Sequence, residues 1–150
     1  MPIDFSDSNH KFLEFRGTGF STRNDPKDSN NKVGQFYNDG SNATQGFYMD
    51  LTRSIDLDTQ KEITLSFYSF DPNSHNITLK LENGINPDVY VNQAFSVPSP
   101  SDWKTINFDF ENAKYSSNGS SVNASGTYNR LTIFIDDGQT IAGTYLIDNI

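Results

Sequence analysis

The 150-residue sequence contains no cysteine, one tryptophan and only two histidines. Without cysteine there is neither a disulfide framework nor a thiolate metal site, and the absence leaves both an exported bacterial compartment and the cytosol open. No apolar run approaches the ~20 residues that a membrane-spanning helix needs. No basic-then-apolar start reads as a signal peptide. Positive charge is scarce: 11 Lys and Arg face 19 Asp and Glu, for a net charge of -8 and a pI of about 4.5. A surface of that sign repels phosphate backbones, which argues against nucleic acid and anionic membrane as partners.

Catalytic signatures are missing too. The sequence has no Gly-x-Ser-x-Gly elbow, no His-Glu-x-x-His pair and no phosphate-binding glycine loop. His10 and His75 both fall in polar sequence that reads as loop, His75 in a turn. A glycosidase needs a pair of carboxylates across a cleft, whereas the acids here lie mostly in turns or at strand edges. The expectation is a binding domain rather than an enzyme.

What the sequence does have is alternation. Ile63, Leu65 and Phe67 share one face of a strand, with Ser66, Tyr68 and Phe70 on the other. Ile77, Leu79 and Leu81 point inward while Thr78, Lys80 and Glu82 point away. Val89, Val91 and Gln93 alternate with Tyr90 and Asn92, and Ile106, Phe108 and Phe110 with Thr105, Asn107 and Asp109. Further strands are expected at 131–135 and 145–147, and, in the less regular first third, near 2–6, 11–16, 32–37 and 46–51. Turn chemistry separates these runs at 71–74, 82–84, 98–102, 116–119 and 136–138. The Ser/Asn-rich stretch 112–127 reads as one exposed loop. No segment sustains a helical apolar period. Short strands joined by turns predict an all-β fold, a two-sheet antiparallel β-sandwich of the jelly-roll type. A single domain of this length buries roughly 70% of its unfolded surface, enough for a core of its own.

The order of motifs is informative. Ile3-Asp4-Phe5 opens the chain, Asn30-Asn31-Lys32-Val33-Gly34 follows a Pro-containing loop, and Gly46-Phe47 precedes Asp50-Leu51. The strands at 63–69 and 79–82 follow, then the run from Trp103 to Phe110 and a closing Tyr145-Leu146-Ile147-Asp148-Asn149-Ile150. This layout resembles the jelly-roll carbohydrate-binding modules related to families 4 and 16, which occur in secreted glycanases and in surface glycan-binding proteins of polysaccharide-degrading bacteria. The resemblance implies non-catalytic polysaccharide binding and a structural calcium. Carried over position by position, it points to Asp148, to Asp4 or Ser6 from the opening segment, and to Asn31 with the Lys32 backbone carbonyl as metal ligands. Where many relatives have Glu after the opening Phe, this chain has Ser6, which removes one hard oxygen donor.

Sugars are held by rings stacked on their C–H faces and by polar side chains at their hydroxyl rim. Outward parity nominates Tyr37, Tyr48, Tyr68, Phe70, Tyr90 and Trp103 as rings, with Lys80 and Glu82 beside them. Trp103 has structural packing as its competing reading, and Tyr48 faces ligand only if Phe47 and Met49 lie inside. A neutral β-glucan such as β-1,3-glucan (laminarin) is the expected ligand. The alternatives are alginate or another anionic polymer, gripped by a patch of Arg16, Arg23, Lys32, Arg53 and Lys80, and a structural or adhesion domain with no glycan ligand. Strand-like sequence at both ends suggests one monomeric module, residues 1–150, joined to other domains of a larger parent chain, secreted or held at a bacterial cell surface.

Overall fold

The computed structural model describes residues 2–96 and 101–150. The first half contributes β1 (Leu13–Phe15), β2 (Thr18–Asn24), β3 (Lys32–Asp39), β4 (Gly46–Asp56), β5 (Glu62–Ser69) and β6 (His75–Glu82). The second half contributes β7 (Val89–Phe95), β8 (Trp103–Asp109), β9 (Ala113–Tyr115), β10 (Ser121–Val122), β11 (Thr127–Ile135) and β12 (Ala142–Asp148). A 3-10 turn at Phe110–Asn112 follows β8. These strands form two antiparallel sheets, one of seven strands in the order β1-β4-β11-β6-β7-β9-β10 and one of five in the order β2-β3-β12-β5-β8. The all-β sandwich expected from two-residue periodicity is the observed fold.

The alternating residues meet between the sheets. Phe47, Leu79, Leu81, Leu131 and Ile133 from the larger sheet pack against Phe36, Leu65, Phe67, Phe108 and Ile147 from the smaller one, all without solvent exposure. Each such side chain contributes about 1.5–3 kcal/mol on leaving water. Asx turns fill the connections: Asp25, Asp28, Asp39, Asn42, Asp56, Asp71 and Asn118 each accept the backbone N–H two residues on. Much of the acidic and Asn-rich composition is therefore turn chemistry rather than ligand chemistry.

Several local expectations are corrected. Residues 2–6 form no ladder strand; the opening segment is instead docked by a reciprocal backbone pair, Ile3 N–H to Ile150 O at 2.8 Å and Ile150 N–H to Ile3 O at 3.1 Å. It buries Ile3, Phe5 and Phe12. Gly34 makes that docking possible, because a Cβ there would sit 2.7 Å from both the Phe5 and Phe36 rings. The strand β2 lies in a Ser/Thr-rich stretch whose weak alternation hid it. The stretch 112–127 is not one loop: β9 pairs with β10 and also extends the large sheet beyond β7. His75 is not in a turn but opens β6, and is only 4% exposed. The turn expected at 98–102 lies largely outside the described residues.

Candidate functional site

The outer surface of the seven-stranded sheet carries the richest mixture of rings and polar groups. Residues paired across an antiparallel ladder project to the same face, so the registers define rows running across the strands. One row reads Leu13, Tyr48, Thr132, Lys80, Tyr90, Lys114 from β1 to β9. Its neighbour reads Phe15, Gly46, Phe134, Thr78, Asn92. On the other flank lie Asp50, Arg130 and Glu82. With strands about 4.8 Å apart, the full row spans roughly 24 Å, the length of a short oligosaccharide rather than of one sugar. A groove of about 530 Å³ follows these rows, walled at one end by Arg16, Thr44 and Asp137.

Glycine shapes the groove floor. A Cβ on Gly46 would lie 2.5 Å from Phe15 and 2.9 Å from Phe134, so only a bare backbone lets those rings settle over β4. The two rings meet edge to face, with centroids 5.8 Å apart. Tyr48 faces outward because Phe47 and Met49 are buried, which meets the condition set by its sequence. One face of its ring is already covered: the Arg130 guanidinium sits 4.6 Å from the centroid. Tyr90, by contrast, is stacked on no other ring or guanidinium among the described residues.

Two cations on this face, Lys80 and Arg130, are paired with carboxylates, while Lys114 at the β9 end of the row is exposed. Lys80 Nζ lies 2.6 Å from Glu82 Oε1 and 3.9 Å from Asp88 Oδ2. Glu82 Oε2 accepts the Thr132 hydroxyl at 3.2 Å. Arg130 grips Asp50 in a fork, Nε to Oδ1 at 2.6 Å and Nη2 to Oδ2 at 3.1 Å. That hydrogen bond holds the Asp50 carboxyl below its ordinary pKa, and bonding to Asp50 raises that of Arg130. The Arg16 guanidinium donates to the Thr44 hydroxyl. The face thus presents fixed donors and acceptors without excess charge of either sign.

Of the ring and polar candidates, Tyr48, Lys80, Glu82 and Tyr90 come together here. Tyr37, Tyr68 and Trp103 belong to the five-stranded sheet, on the opposite outside of the sandwich, and Phe70 directly follows β5 there. Tyr37 and Phe70 are open there, 45% and 42% exposed, whereas Tyr68 at 3% offers no ring face. Tyr68 instead joins Val33 and Leu146 in a small second core against which Trp103 packs. The loop after β2 closes over this cluster, with the Trp103 indole N–H donating to Asp25 Oδ1 at 3.0 Å. Sequence reasoning missed Phe15 and Phe134 as groove residues and Arg130 and Thr132 elsewhere on the same face. The parity of Thr132 and Phe134 against Ile133 would have found those two.

The basic residues do not gather into one patch. Arg16 and Lys80 border the groove. Arg23 and Lys32 sit on β2 and β3 of the other sheet, bonded to Gln35 and Asn24, and Arg53 lies along β4.

Of the residues nominated for a metal, Asp148 and Asn31 touch near the docked termini, and Asp4 lies close enough to act on Asp148 through its charge. Asp148 is 3% exposed; its Oδ2 accepts from Asn31 Nδ2 at 3.0 Å and Asn149 Nδ2 at 3.1 Å, while its Oδ1 is buried without a partner. Burial raises the Asp148 pKa, and the nearby charges of Asp4 and Asp25 add to that rise. Asp4 is held down by the Ser6 hydroxyl, which donates to Oδ1 at 2.7 Å. Among the described residues no three His, Asp or Glu side chains cluster as a chelate on their own. The orphaned Asp148 oxygen beside other carboxylates and an amide nonetheless suits a hard cation with mixed oxygen ligands.

No protein-family model and no curated protein matches the sequence. Solved structures do match its fold. A family 11 carbohydrate-binding module from Clostridium thermocellum, in complex with a β-1,3-1,4-mixed-linked tetrasaccharide, superposes over 97% of this chain and 89% of its own, with 16% identity and a TM-score of 0.63. The CBM27-1 module of Caldicellulosiruptor saccharolyticus, in complex with mannohexaose, covers 99% of this chain and 93% of its own at 15% identity, TM-score 0.59. An agarase matches 98% of this chain with only 25% of its own length, at 9% identity and a TM-score of 0.67. The chain is built as the jelly-roll sandwich that carbohydrate-binding modules share.

Proposed function

We propose that the protein is a non-catalytic module that binds a neutral polysaccharide, a β-glucan containing β-1,3 linkages, in the groove on its seven-stranded sheet. The observation that carries this reading is the unstacked Tyr90 ring set among fixed polar side chains whose charges cancel. A ring offers its π face to sugar C–H groups, while Lys80, Glu82, Asn92 and Thr78 supply donors and acceptors to hydroxyls. An anionic polymer is less well served, because Lys80 and Arg130 are engaged by carboxylates and the remaining cations of this face, Arg16 and Lys114, stand on its opposite flanks. Two neighbours of like fold are bound to a mixed-linkage glucan tetrasaccharide and to mannohexaose, which supports a neutral glycan here. The agarase match, covering a quarter of that enzyme, supports a place beside other domains in a larger parent chain.

Affinity gel electrophoresis against mixed-linkage glucan, laminarin, xylan and alginate tests the proposal. Retardation by the β-glucans and not by alginate is the expected result. Retardation by alginate alone overturns the neutral-ligand reading. An intact fold with no retardation by any of the polymers favours a structural or adhesion role.

We further propose that a calcium ion binds at Asp148, with Asp4, Asn31 and the Lys32 carbonyl as the remaining protein ligands; Ser6 acts through Asp4, to which it donates. An ion bound only by the folded state stabilises it by mass action, about 2.7 kcal/mol at a hundredfold excess over Kd. Calcium is therefore expected to raise the melting temperature and a chelator to lower it, with both responses lost in Asp148→Asn. A wild-type melting temperature indifferent to calcium and chelator rules the site out.

A further inference from the structure

Glycan binding makes no use of a buried polar cluster at one end of the sandwich. His75, at the start of β6, lies between two carboxylates: Nδ1 is 2.8 Å from Asp136 Oδ2 and Nε2 is 2.9 Å from Asp71 Oδ1. Ser69 Oγ stands 3.4 Å from the same Nε2, so the side chains have the connectivity of a serine–histidine–acid triad. Ser69 is fully buried, however, and its hydroxyl donates to the Asp71 backbone carbonyl at 3.2 Å. No substrate atom reaches it. The cluster is built to hold a charge instead.

The tie joins separate parts of the chain. Asp71 belongs to the turn between β5 and β6, and Asp136 to the turn between β11 and β12. Asp136 adopts a left-handed backbone, φ 58°, and its Oδ1 accepts the Asn76 N–H at 3.0 Å. The next residues lead to the groove wall: Gly138 N–H donates to Ala43 O at 2.7 Å, beside Thr44. Facing His75 from the remaining elements are Phe67 of β5, Phe95 of β7 and the Tyr145 phenol of β12, whose oxygen is 3.5 Å from Nδ1. Burial pushes the Tyr145 pKa up, so the phenol stays neutral. Among the described residues neither Asp71 nor Asp136 has another ion-pair partner.

We propose that His75 is an imidazolium latch: charged, it bonds both turns at once, and its deprotonation on alkalinisation releases the turn carrying Asp71 and loosens this end of the sandwich. A neutral imidazole has one N–H and cannot donate to both carboxylates. Asp136, 4% exposed, keeps the remaining proton because water cannot replace it, whereas the Asp71 side chain, 33% exposed, is the one turned away. Burial lowers the His75 pKa, but hydrogen bonds to Asp136 and Asp71 and their charges outweigh it, and the net shift is upward from 6.5. A folded value above the unfolded one means that the contribution to stability is complete below about pH 6.5 and is lost as pH rises through the folded value.

The test is an NMR titration of the His75 ring from pH 5.5 to 9.5, paired with melting curves of wild type, Asp71→Asn and His75→Gln. The ring is expected to titrate above 6.5, with the Asn73 amide moving in the same window. The folding equilibrium should weaken over that window by about tenfold for each unit by which the midpoint exceeds 6.5. Asp71→Asn should bring the midpoint down, and His75→Gln should remove the alkaline loss. A ring titrating at or below 6.5 overturns the latch, as does an unchanged alkaline loss in His75→Gln. Should His75→Gln fail to fold, the wild-type titration and Asp71→Asn decide. None of these readouts depends on a glycan, so the latch and the binding proposal fail separately.

Discussion

Replacing Tyr90 with alanine is expected to weaken binding of mixed-linkage glucan by about 1–3 kcal/mol, roughly five- to 150-fold, while leaving the fold intact. The reason is its position. Tyr90 lies on the outer face of β7, paired with Lys80 on one side and Lys114 on the other, and its ring is unoccupied by other aromatic groups. Tyr48→Ala should cost less affinity, because Arg130 already covers one face of that ring. Trp103→Ala and Tyr68→Ala should leave binding unchanged and lower the melting temperature, since both rings belong to the small core beneath the loop after β2. Tyr37→Ala, on the far sheet, serves as the inert control. Calorimetry on this series separates the two faces. Equal affinity in wild type and Tyr90→Ala would place the ligand elsewhere.

Phe36→Ala should be more destabilising than any of these, at about 3–5 kcal/mol and a fall in melting temperature on the order of 10 °C. Phe36 is the hub of an aromatic cluster, with ring centroids at 4.8 Å to Phe47, 5.1 Å to Phe12, 5.2 Å to Phe20 and 6.3 Å to Phe5. Those partners come from both sheets and from the docked opening segment. Removing the hub leaves a cavity that the rigid sheets cannot close and loosens Phe5 and Phe12 together. Because Asp4 adjoins Phe5, the response to calcium should weaken in the same variant. A scanning calorimetry shift of less than about 2 °C would show that the cluster is dispensable.

The placement of Tyr68 and Tyr90 shows how far local pattern reaches. Both alternate with buried residues, Phe67 and Ser69 about Tyr68 and Val89 and Val91 about Tyr90, and both face away from the main core as their parity requires. Parity says nothing about which sheet a strand joins. Tyr68 on β5 is covered by the rings of Trp103 and Phe70, with centroids 5.3 and 5.0 Å away, so it is sealed, while Tyr90 on β7 faces an open groove. The loop after β2 reaches Trp103 through Asp25, 78 residues away in sequence, and no short-range signal encodes that contact. His75 makes the same point from the other direction. Its flanking Ser, Asn and Asp residues read as a solvated turn, yet Asp136, 61 residues on, completes its burial.

Alternation of apolar and polar side chains, with Asx and glycine turns between the runs, was enough by itself to determine an all-β sandwich and the inward or outward sense of most strand residues. Both are local properties, set by the pleat and by hydrogen bonds over a few residues. Tertiary structure alone decided that β4, β11, β6 and β7 lie side by side, and so that Tyr48, Thr132, Lys80 and Tyr90 form one row. That choice rests on pairing energies summed between distant strands, where register and sheet partner are settled by the whole core at once.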